Sequence, residues 1–357
     1  MIFLEFFIRK VTGTVLIVFF ALLITRASLA VNAPLEPQNF WAMPCDANWS
    51  LQAVQREDSL LAILSPMMEA NSWPLFLSSQ TQLADANISS PAKVAPNPTE
   101  KNHISALAMH ALCADVLSTY VNDKGLVDYK TLRRKRLSLV DVLGEFAALD
   151  PNSYASWSEA DRLAFWINAH NMCTLKAVID NYPIEPSRFK VIFYPPNSIM
   201  QISGFWEKAD YRIMGENYSL NEIENKIIRA QFAEPRVCFA LSYASLGCAP
   251  LRREPYYGKN LDKQLDDQAK IFLDSDKGMK IDRDGSVVDL SAIFQWYSKE
   301  FIAKYPPAKE FIDKDSAEAA VLTYVSTQIP KKDSDWLLRK IFTVRYMRYD
   351  WMLNEQP

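Results

Sequence analysis

The chain has 357 residues, of which 49% are apolar and 23% charged, a composition typical of a globular protein with one large or two smaller domains. Its 39 basic and 42 acidic side chains exclude the strongly cationic surface on which nucleic-acid binding depends. Nine glycines and 20 prolines exclude collagen-like and low-complexity architectures. With five cysteines and three histidines, we expect no small disulfide scaffold, no metal site and no cofactor.

Residues 1–30 have the pattern of an export signal. The positive pair at residues 9 and 10 precedes an apolar-rich stretch over 15–25, and a small-residue cleavage site follows at 28–30. The apolar stretch is shorter than the roughly 20 residues that a membrane-spanning helix needs. We therefore expect cleavage after Ala30 and a periplasmic or secreted protein without a membrane span. A retained N-terminal membrane anchor is the alternative.

The remaining chain divides by composition into three parts. Residues 31–78 mix proline, tryptophan and methionine without periodicity, so this N-terminal segment has no predicted structure. Residues 79–102 are polar and contain proline, which predicts a linker. Residues 103–357 are patterned without a second linker, which predicts one main domain.

Within this domain, helical patterns outnumber strand patterns and do not alternate regularly with them. Helices are predicted over residues 104–121, 158–183, 219–232, 261–273, 315–327 and from 291 onward, the one at 219 starting with a Ser-x-x-Glu capping box. Hairpins are predicted over 211–218 and 280–290, and a strand buried on both faces over 236–243. The sequence therefore predicts an α+β fold, a single helix-rich domain around a small mixed or antiparallel sheet.

Two asparagines stand out on the long helix predicted from residue 158. At about 100° per residue, Asn168 and Asn171 lie in the middle of its apolar face, while His170 lies away from that face. A buried amide without partners costs on the order of 1–3 kcal/mol, so both side chains need hydrogen bonds. They either satisfy loop carbonyls and fix the packing, or orient a ligand or catalytic group. We expect His170 at the boundary of the core.

The stretch over residues 236–251 combines an apolar run with a loop of small residues that contains Cys248. Such loops often carry binding or catalytic groups. Cys248 could act as a nucleophile if a base or positive charge lay nearby. It could also pair with Cys238 in an oxidising compartment, or be a small buried side chain. We expect both amides of the long helix to lie within contact range of this loop.

Several pieces in one order resemble the domain of unknown function 547 family over about residues 104–354. They are His110 with its helix, Gly125–Tyr129, Ala164–Asn171, Ser219–Glu224 with Arg229, Pro235–Arg236, Phe239–Leu241, Ala244–Ser245, Cys248–Arg252, Leu261–Asp267, Leu290–Phe294 with Trp296–Tyr297, and Tyr349–Trp351 with Leu353–Asn354. The family's activity is not settled, so the resemblance implies a fold unit more than a reaction. The family's central pattern implies a histidine and a first cysteine where this chain has Cys238 and Tyr243. Its separate Trp-Ile-Asn-Ala-x-Asn motif implies an aromatic residue where this chain has His170.

These observations leave two main functional hypotheses. In the first, the protein is an exported binding or scaffolding domain for an unidentified small molecule or protein. Its ligand-binding or structural centre then comprises Asn168, Asn171, Arg236, Glu224, Tyr129 and Ser245. In the second, it is a thiol-dependent hydrolase or transferase with Cys248 as nucleophile, His110 as base and an asparagine orienting that base. A redox couple of Cys238 and Cys248 is a third, weaker hypothesis, because it lacks the usual two-residue spacing.

Overall fold

The computed structural model describes residues 98–207 and 210–357, with side chains from Met109 onward. The predicted export signal, the segment 31–78 and most of the predicted linker lie outside the described residues. The first helix begins at Pro98, inside the range predicted as linker. The described residues all belong to one compact unit.

Helices make up most of the described chain. In chain order they are α1 (Pro98–Tyr120), α2 (Tyr129–Arg134), α3 (Leu137–Ala148), α4 (Pro151–Ala155), α5 (Glu159–Asp180), α6 (a π-helical segment Glu222–Ile228 continued by the α-helical turn Arg229–Gln231), α7 (Val237–Ala240), α8 (Leu261–Leu273), α9 (Ala292–Trp296), α10 (Ser298–Lys304), α11 (Ser316–Gln328) and α12 (Lys331–Arg339). Single 3₁₀ turns occur at Lys190–Ile192, Ile199–Gln201, Gly258–Asn260 and Lys309–Phe311.

The strands form two small sheets. They are β1 (Tyr211–Ile213), β2 (Glu216–Tyr218), β3 (Met279–Asp282), β4 (Val287–Leu290) and β5 (Thr343–Tyr346). β1 and β2 form an antiparallel hairpin, and β4 pairs antiparallel with β3 and parallel with β5. The predicted α+β class and both predicted hairpins are confirmed. The sequence did not predict β5, which lies in the tryptophan- and tyrosine-rich tail.

Helix α5 passes through the middle of the core. Ser158 caps it by accepting a 3.1 Å hydrogen bond from the amide of Asp161. Every residue from Leu163 to Leu175 is buried, so the middle of this helix packs against protein on all sides. Its polar side chains are therefore held inside the core, where the cost of an unpaired polar group is high.

Helix α6 begins at the predicted capping box. The amide of Ser219 donates to the Glu222 carboxylate at 3.0 Å, and the amide of Glu222 donates to the Ser219 hydroxyl at 3.2 Å. The helix is π-helical over its first seven residues. Such wide turns are rare and often mark functional sites.

The buried strand predicted over residues 236–243 is wrong. The segment forms the short helix α7 and then an irregular stretch that runs through the core. The amide of Leu241 closes the helical turn on the carbonyl of Val237 at 3.0 Å. A short apolar run fits a buried helical turn as well as a buried strand, because periodicity cannot separate the two.

None of the described helices combines the length and the apolar character needed to cross a membrane.

Candidate functional site

The side chains of Asn168 and Asn171 on α5 are buried. Each forms two hydrogen bonds to the backbone of a nearby irregular segment. Asn168 donates to the carbonyl of Tyr256 at 2.8 Å and accepts from the amide of the same residue at 2.9 Å. Asn171 donates to the carbonyl of Ala240 at 2.9 Å and accepts from the amide of Ser242 at 2.8 Å. Each side chain thus satisfies one donor and one acceptor that regular secondary structure leaves open. Asn171 touches the chain just before the Cys248 loop, whereas Asn168 braces the segment that follows it.

Glu224 lies at the centre of the domain among aromatic side chains. Its Oε1 atom accepts hydrogen bonds from the hydroxyls of Tyr297 at 2.7 Å and Tyr243 at 2.9 Å, and these two hydroxyls lie 2.9 Å apart. Burial and the nearby carboxylate raise the pKa values of both phenols well above their usual range. Tyr297 also faces the guanidinium of Arg229, whose carbon lies 4.3 Å from the ring centroid.

His170 adjoins this carboxylate and is fully buried, so its predicted place at the boundary of the core was wrong. Its Nε2 atom lies 4.0 Å from Oε2 of Glu224, and neither ring nitrogen makes a hydrogen bond. The ring is stacked on Trp206 with centroids 6.5 Å apart. Burial lowers the pKa of His170, while the charge of Glu224 raises it.

Arg236 does not pair with Glu224. It binds Glu234 through two nitrogens at 2.8 Å, and it reaches Asp262 at 2.7 Å and Asp266 at 2.6 Å on α8. These bonds hold the start of α7 against α8, and all three nitrogens of the guanidinium take part in them. The two residues that the sequence grouped together therefore belong to separate polar clusters.

The loop over residues 244–250 is fastened to the C-terminal tail. The amide of Leu246 donates to the carbonyl of Met352, and the amide of Gly247 to that of Asp350, both at 2.8 Å. The hydroxyls of Ser245 and Tyr349 lie 2.7 Å apart. This anchoring fixes the position of the loop that carries Cys248.

Cys248 is buried at the inner end of this loop. Its thiol donates a 3.1 Å hydrogen bond to the carbonyl of Leu241. Burial raises the pKa of the thiol to about 11, although hydrogen bonds from Tyr243 and neighbouring groups lower it in part. The thiol is therefore protonated at neutral pH. Cys113, Cys173, Cys238 and Cys248 are all free thiols.

A small cavity of about 100 Å³ lies where this loop approaches the turn at Gly125. Its wall consists of residues 124–126, 245–246, 248–250, Ser275, Lys277 and Asn354. Tyr129 supports the wall from behind by donating a 2.7 Å hydrogen bond to Oδ1 of Asn354. Two lysines lie on this wall, and it includes no acidic side chain. Lys277 pairs with Asp350 at 2.8 Å.

His110 lies in a different place from Cys248. Its ring packs against Tyr257, with centroids 4.8 Å apart, and lines a much smaller cavity together with Asn168. The structure thus brings Ser245, Cys248 and Tyr129 together around one cavity and leaves His110, Arg236 and the Glu224 cluster outside its wall.

Sequence reasoning missed several members of these clusters. Tyr297, Tyr349 and Asn354 all occur in the pieces that resemble the family, so the signal was present but carried no assigned role. Lys124 and Lys277 gave no signal, because an exposed lysine in a loop is ordinary. Among the side chains described, histidine, cysteine and carboxylate groups form no cluster that could hold a metal ion.

The family model described as "Protein of unknown function, DUF547" matches residues 154–273, so this segment is similar to that family, in agreement with the resemblance seen in the sequence. The segment contains both amides of α5, the Glu224 cluster and the Cys248 loop. No curated protein and no solved structure matches the chain.

Proposed function

We propose that this domain is a binding module whose cavity beside Cys248 accepts a small anionic group. The wall of the cavity includes Ser245, Ser275, Lys124 and Lys277 and no acidic residue. Lys277 is paired with Asp350, so Lys124 is the lysine of the wall that we expect to meet an anion. Hydroxyls and lysines are the usual partners of carboxylate and phosphate groups. A volume of about 100 Å³ suits the end of a ligand, or a ligand of few atoms.

The observation that favours binding over catalysis is the hydrogen bond of the buried Cys248 thiol. Its hydrogen is donated to the carbonyl of Leu241, and burial raises its pKa to about 11. A nucleophilic cysteine needs a low pKa, which a nearby histidine or another cation supplies. Cys248 therefore acts as a neutral part of the cavity wall.

A thiol-dependent hydrolase or transferase is the competing function, supported by the position of Cys248 on a cavity. Alkylation by iodoacetamide across pH values distinguishes the two. For the binding module we expect slow alkylation of Cys248 at pH 7, with a rate that rises toward a pKa of about 11. Rapid alkylation with a midpoint near neutrality would overturn the binding proposal.

Ligand binding is tested by thermal unfolding in sodium acetate, sodium phosphate and sodium chloride at equal ionic strength. A ligand this small binds with a dissociation constant in roughly the millimolar range. A salt concentration well above that constant should therefore raise Tm measurably. We expect acetate or phosphate to raise Tm above its value in chloride, and Lys124→Gln to reduce that rise. Lys332→Gln on α12, an exposed lysine outside the cavity, is the matched control. Equal shifts in all three salts, or in both variants, contradict the proposal.

We also propose that the protein acts outside the cytoplasm. The support is the sequence of residues 1–30, with its basic start, short apolar stretch and small-residue site. Sequencing of the N-terminus of protein recovered from the periplasmic fraction of a bacterial host tests this proposal. We expect a mature chain that begins at Val31. An uncleaved chain in the membrane fraction supports the anchored alternative instead.

A further inference from the structure

An exposed apolar patch lies at the 3₁₀ turn between α5 and the β1–β2 hairpin. Phe189 is 81% exposed, Ile192 73% and Phe193 69%, and Val191 between them is exposed as well. Single exposed apolar residues are common on protein surfaces, but four within five consecutive positions are not. We call residues 187–196 the apolar loop.

Hydrogen bonds to one buried side chain fix the two ends of the apolar loop. Gln201 is buried beneath it and accepts a 3.0 Å hydrogen bond from the amide of Ser187 at one end. The same side chain donates to the carbonyls of Tyr194 at 3.1 Å and Pro195 at 3.0 Å at the other end. Both ends of the loop are thus tied to one amide, so the exposure of the residues between them is a fixed property of the fold.

The apolar side chains project in several directions. At three residues per turn, positions 189 and 192 lie on one side of the turn, while 191 and 193 lie on the other two. A protein partner would need a pocket shaped around all of them. The fluid interior of a lipid leaflet accepts apolar groups in any direction, which favours lipid as the occupant.

The charge of the apolar loop also favours a membrane surface as its partner. The apolar loop itself contains no aspartate or glutamate, and its two charged residues are Arg188 and Lys190; the nearest acidic residues along the chain are Glu185 and Glu207. The ammonium of Lys190 also donates to the carbonyl of Ile202 at 3.3 Å, so it stays close to the base of the loop. Cations beside exposed apolar and aromatic side chains suit the headgroup region of an anionic membrane.

We propose that the apolar loop inserts Phe189, Ile192 and Phe193 into the surface of a membrane that contains anionic lipid. This is peripheral attachment, in which side chains enter one leaflet and the backbone stays at the interface. It is independent of the ligand cavity beside Cys248. Attachment would hold the domain at a membrane surface without a spanning helix.

Hydrogen–deuterium exchange of the full chain, measured by mass spectrometry peptide by peptide, tests this proposal. Vesicles of phosphatidylcholine and phosphatidylglycerol in equal amounts are compared with vesicles of phosphatidylcholine alone and with no vesicles. We expect exchange in peptides covering residues 187–196 to slow with the mixed vesicles and much less with the neutral ones. A local measurement is needed because the apolar stretch near the N-terminus could bind vesicles by itself.

Matched variants separate this surface from general adhesion. The double variant Phe189→Ser, Phe193→Ser removes two exposed phenyl groups and should weaken the protection of the loop by roughly tenfold or more in vesicle concentration. The control is Ile312→Ser, Ile341→Ser, which removes side chains that are 83% and 90% exposed elsewhere on the domain. An unchanged Tm in both variants shows that neither alters folding.

Three outcomes would overturn the proposal. One is unchanged exchange of the loop with mixed vesicles. Another is equal protection in the two double variants. The third is protection that grows with protein concentration in the absence of vesicles, which assigns the patch to contact between copies of the chain.

Discussion

The phenol of Tyr243 donates a 2.9 Å hydrogen bond to the carboxylate of Glu224 in the centre of the domain. Tyr297 donates to the same oxygen at 2.7 Å. The carboxylate is thus stabilised by two phenol donors, and the guanidinium of Arg229 lies on the face of the Tyr297 ring. Such an arrangement depends on both hydroxyls, because a buried charge with too few partners is costly.

Replacement of Tyr243 by phenylalanine should therefore destabilise the protein strongly for so small a change. Loss of one hydrogen bond to a buried charged group costs about 1.5–3 kcal/mol, measured as the free energy of unfolding in urea. Tyr324→Phe is the matched control, because the hydroxyl of Tyr324 is buried without a hydrogen-bond partner. That variant should be neutral or slightly more stable. Equal losses in the two variants would show that the Tyr243 hydroxyl contributes nothing specific.

The two amides of α5 give a second prediction about stability. Asn171→Ala leaves the carbonyl of Ala240 and the amide of Ser242 buried without partners, at about 1–3 kcal/mol for each group. We expect a loss of roughly 3 kcal/mol or more in the free energy of unfolding. Asn217→Ala on β2 removes an exposed amide and should change stability by less than about 0.5 kcal/mol. A loss at Asn171 as small as that at Asn217 contradicts the bracing role.

Local signals in the sequence predicted the starts of helices well. The capping residues Ser158 and Ser219 each make the expected side-chain bonds, because a cap needs only residues within one turn. β5 escaped notice because its partner, β4, lies far back along the chain, with Val287 opposite Thr343. Its short length gives no periodic pattern strong enough to be recognised alone.

For the candidate site, too, the sequence predicted local features but not long-range contacts. A helical wheel showed that Asn168 and Asn171 would be buried and would need partners. It could not name those partners, since Tyr256 lies 88 residues and Ala240 69 residues away and each contributes backbone atoms. His170 was misplaced because the wheel assumes one apolar face, whereas α5 is covered on every side.

The buried imidazole of His170 makes stability depend on pH. Burial lowers its pKa in the folded protein below the unfolded value of about 6.5. The charge of nearby Glu224 opposes this effect but is the smaller of the two. The unfolded state then binds the proton more readily. The stabilisation is complete above pH 6.5 or so and declines as the pH falls through the folded pKa, by up to about 1.4 kcal/mol per unit.

His170→Phe should reduce this acid sensitivity, because phenylalanine does not titrate. The measurement is the free energy of unfolding in urea between pH 5 and pH 7.5. We expect a smaller slope in the variant than in the natural protein, with Glu224 unchanged in both. Identical slopes would mean that other groups, not His170, govern the acid side of the profile.

Two glycines with opposite surroundings test the anchoring of the Cys248 loop. A Cβ atom at Gly247 would lie 2.8 Å from the amide nitrogen of Asp350 and 2.9 Å from the ring of Tyr349. Gly247→Ala should therefore push the loop away from the C-terminal tail and destabilise the protein by about 1–3 kcal/mol. At Gly144, inside α3, a Cβ atom meets nothing within 4 Å. Gly144→Ala should stabilise the protein by about 0.5–1 kcal/mol, since alanine favours helix.

The same pair of variants reports on the thiol. If the tail holds Cys248 in its buried, protonated state, Gly247→Ala should speed alkylation by iodoacetamide at pH 7 and shift its pH profile toward the ordinary thiol value. Gly144→Ala should leave the alkylation rate unchanged, because α3 lies outside the wall of the cavity. A rate that stays slow in Gly247→Ala despite lower stability would mean that the loop keeps Cys248 buried without help from the tail.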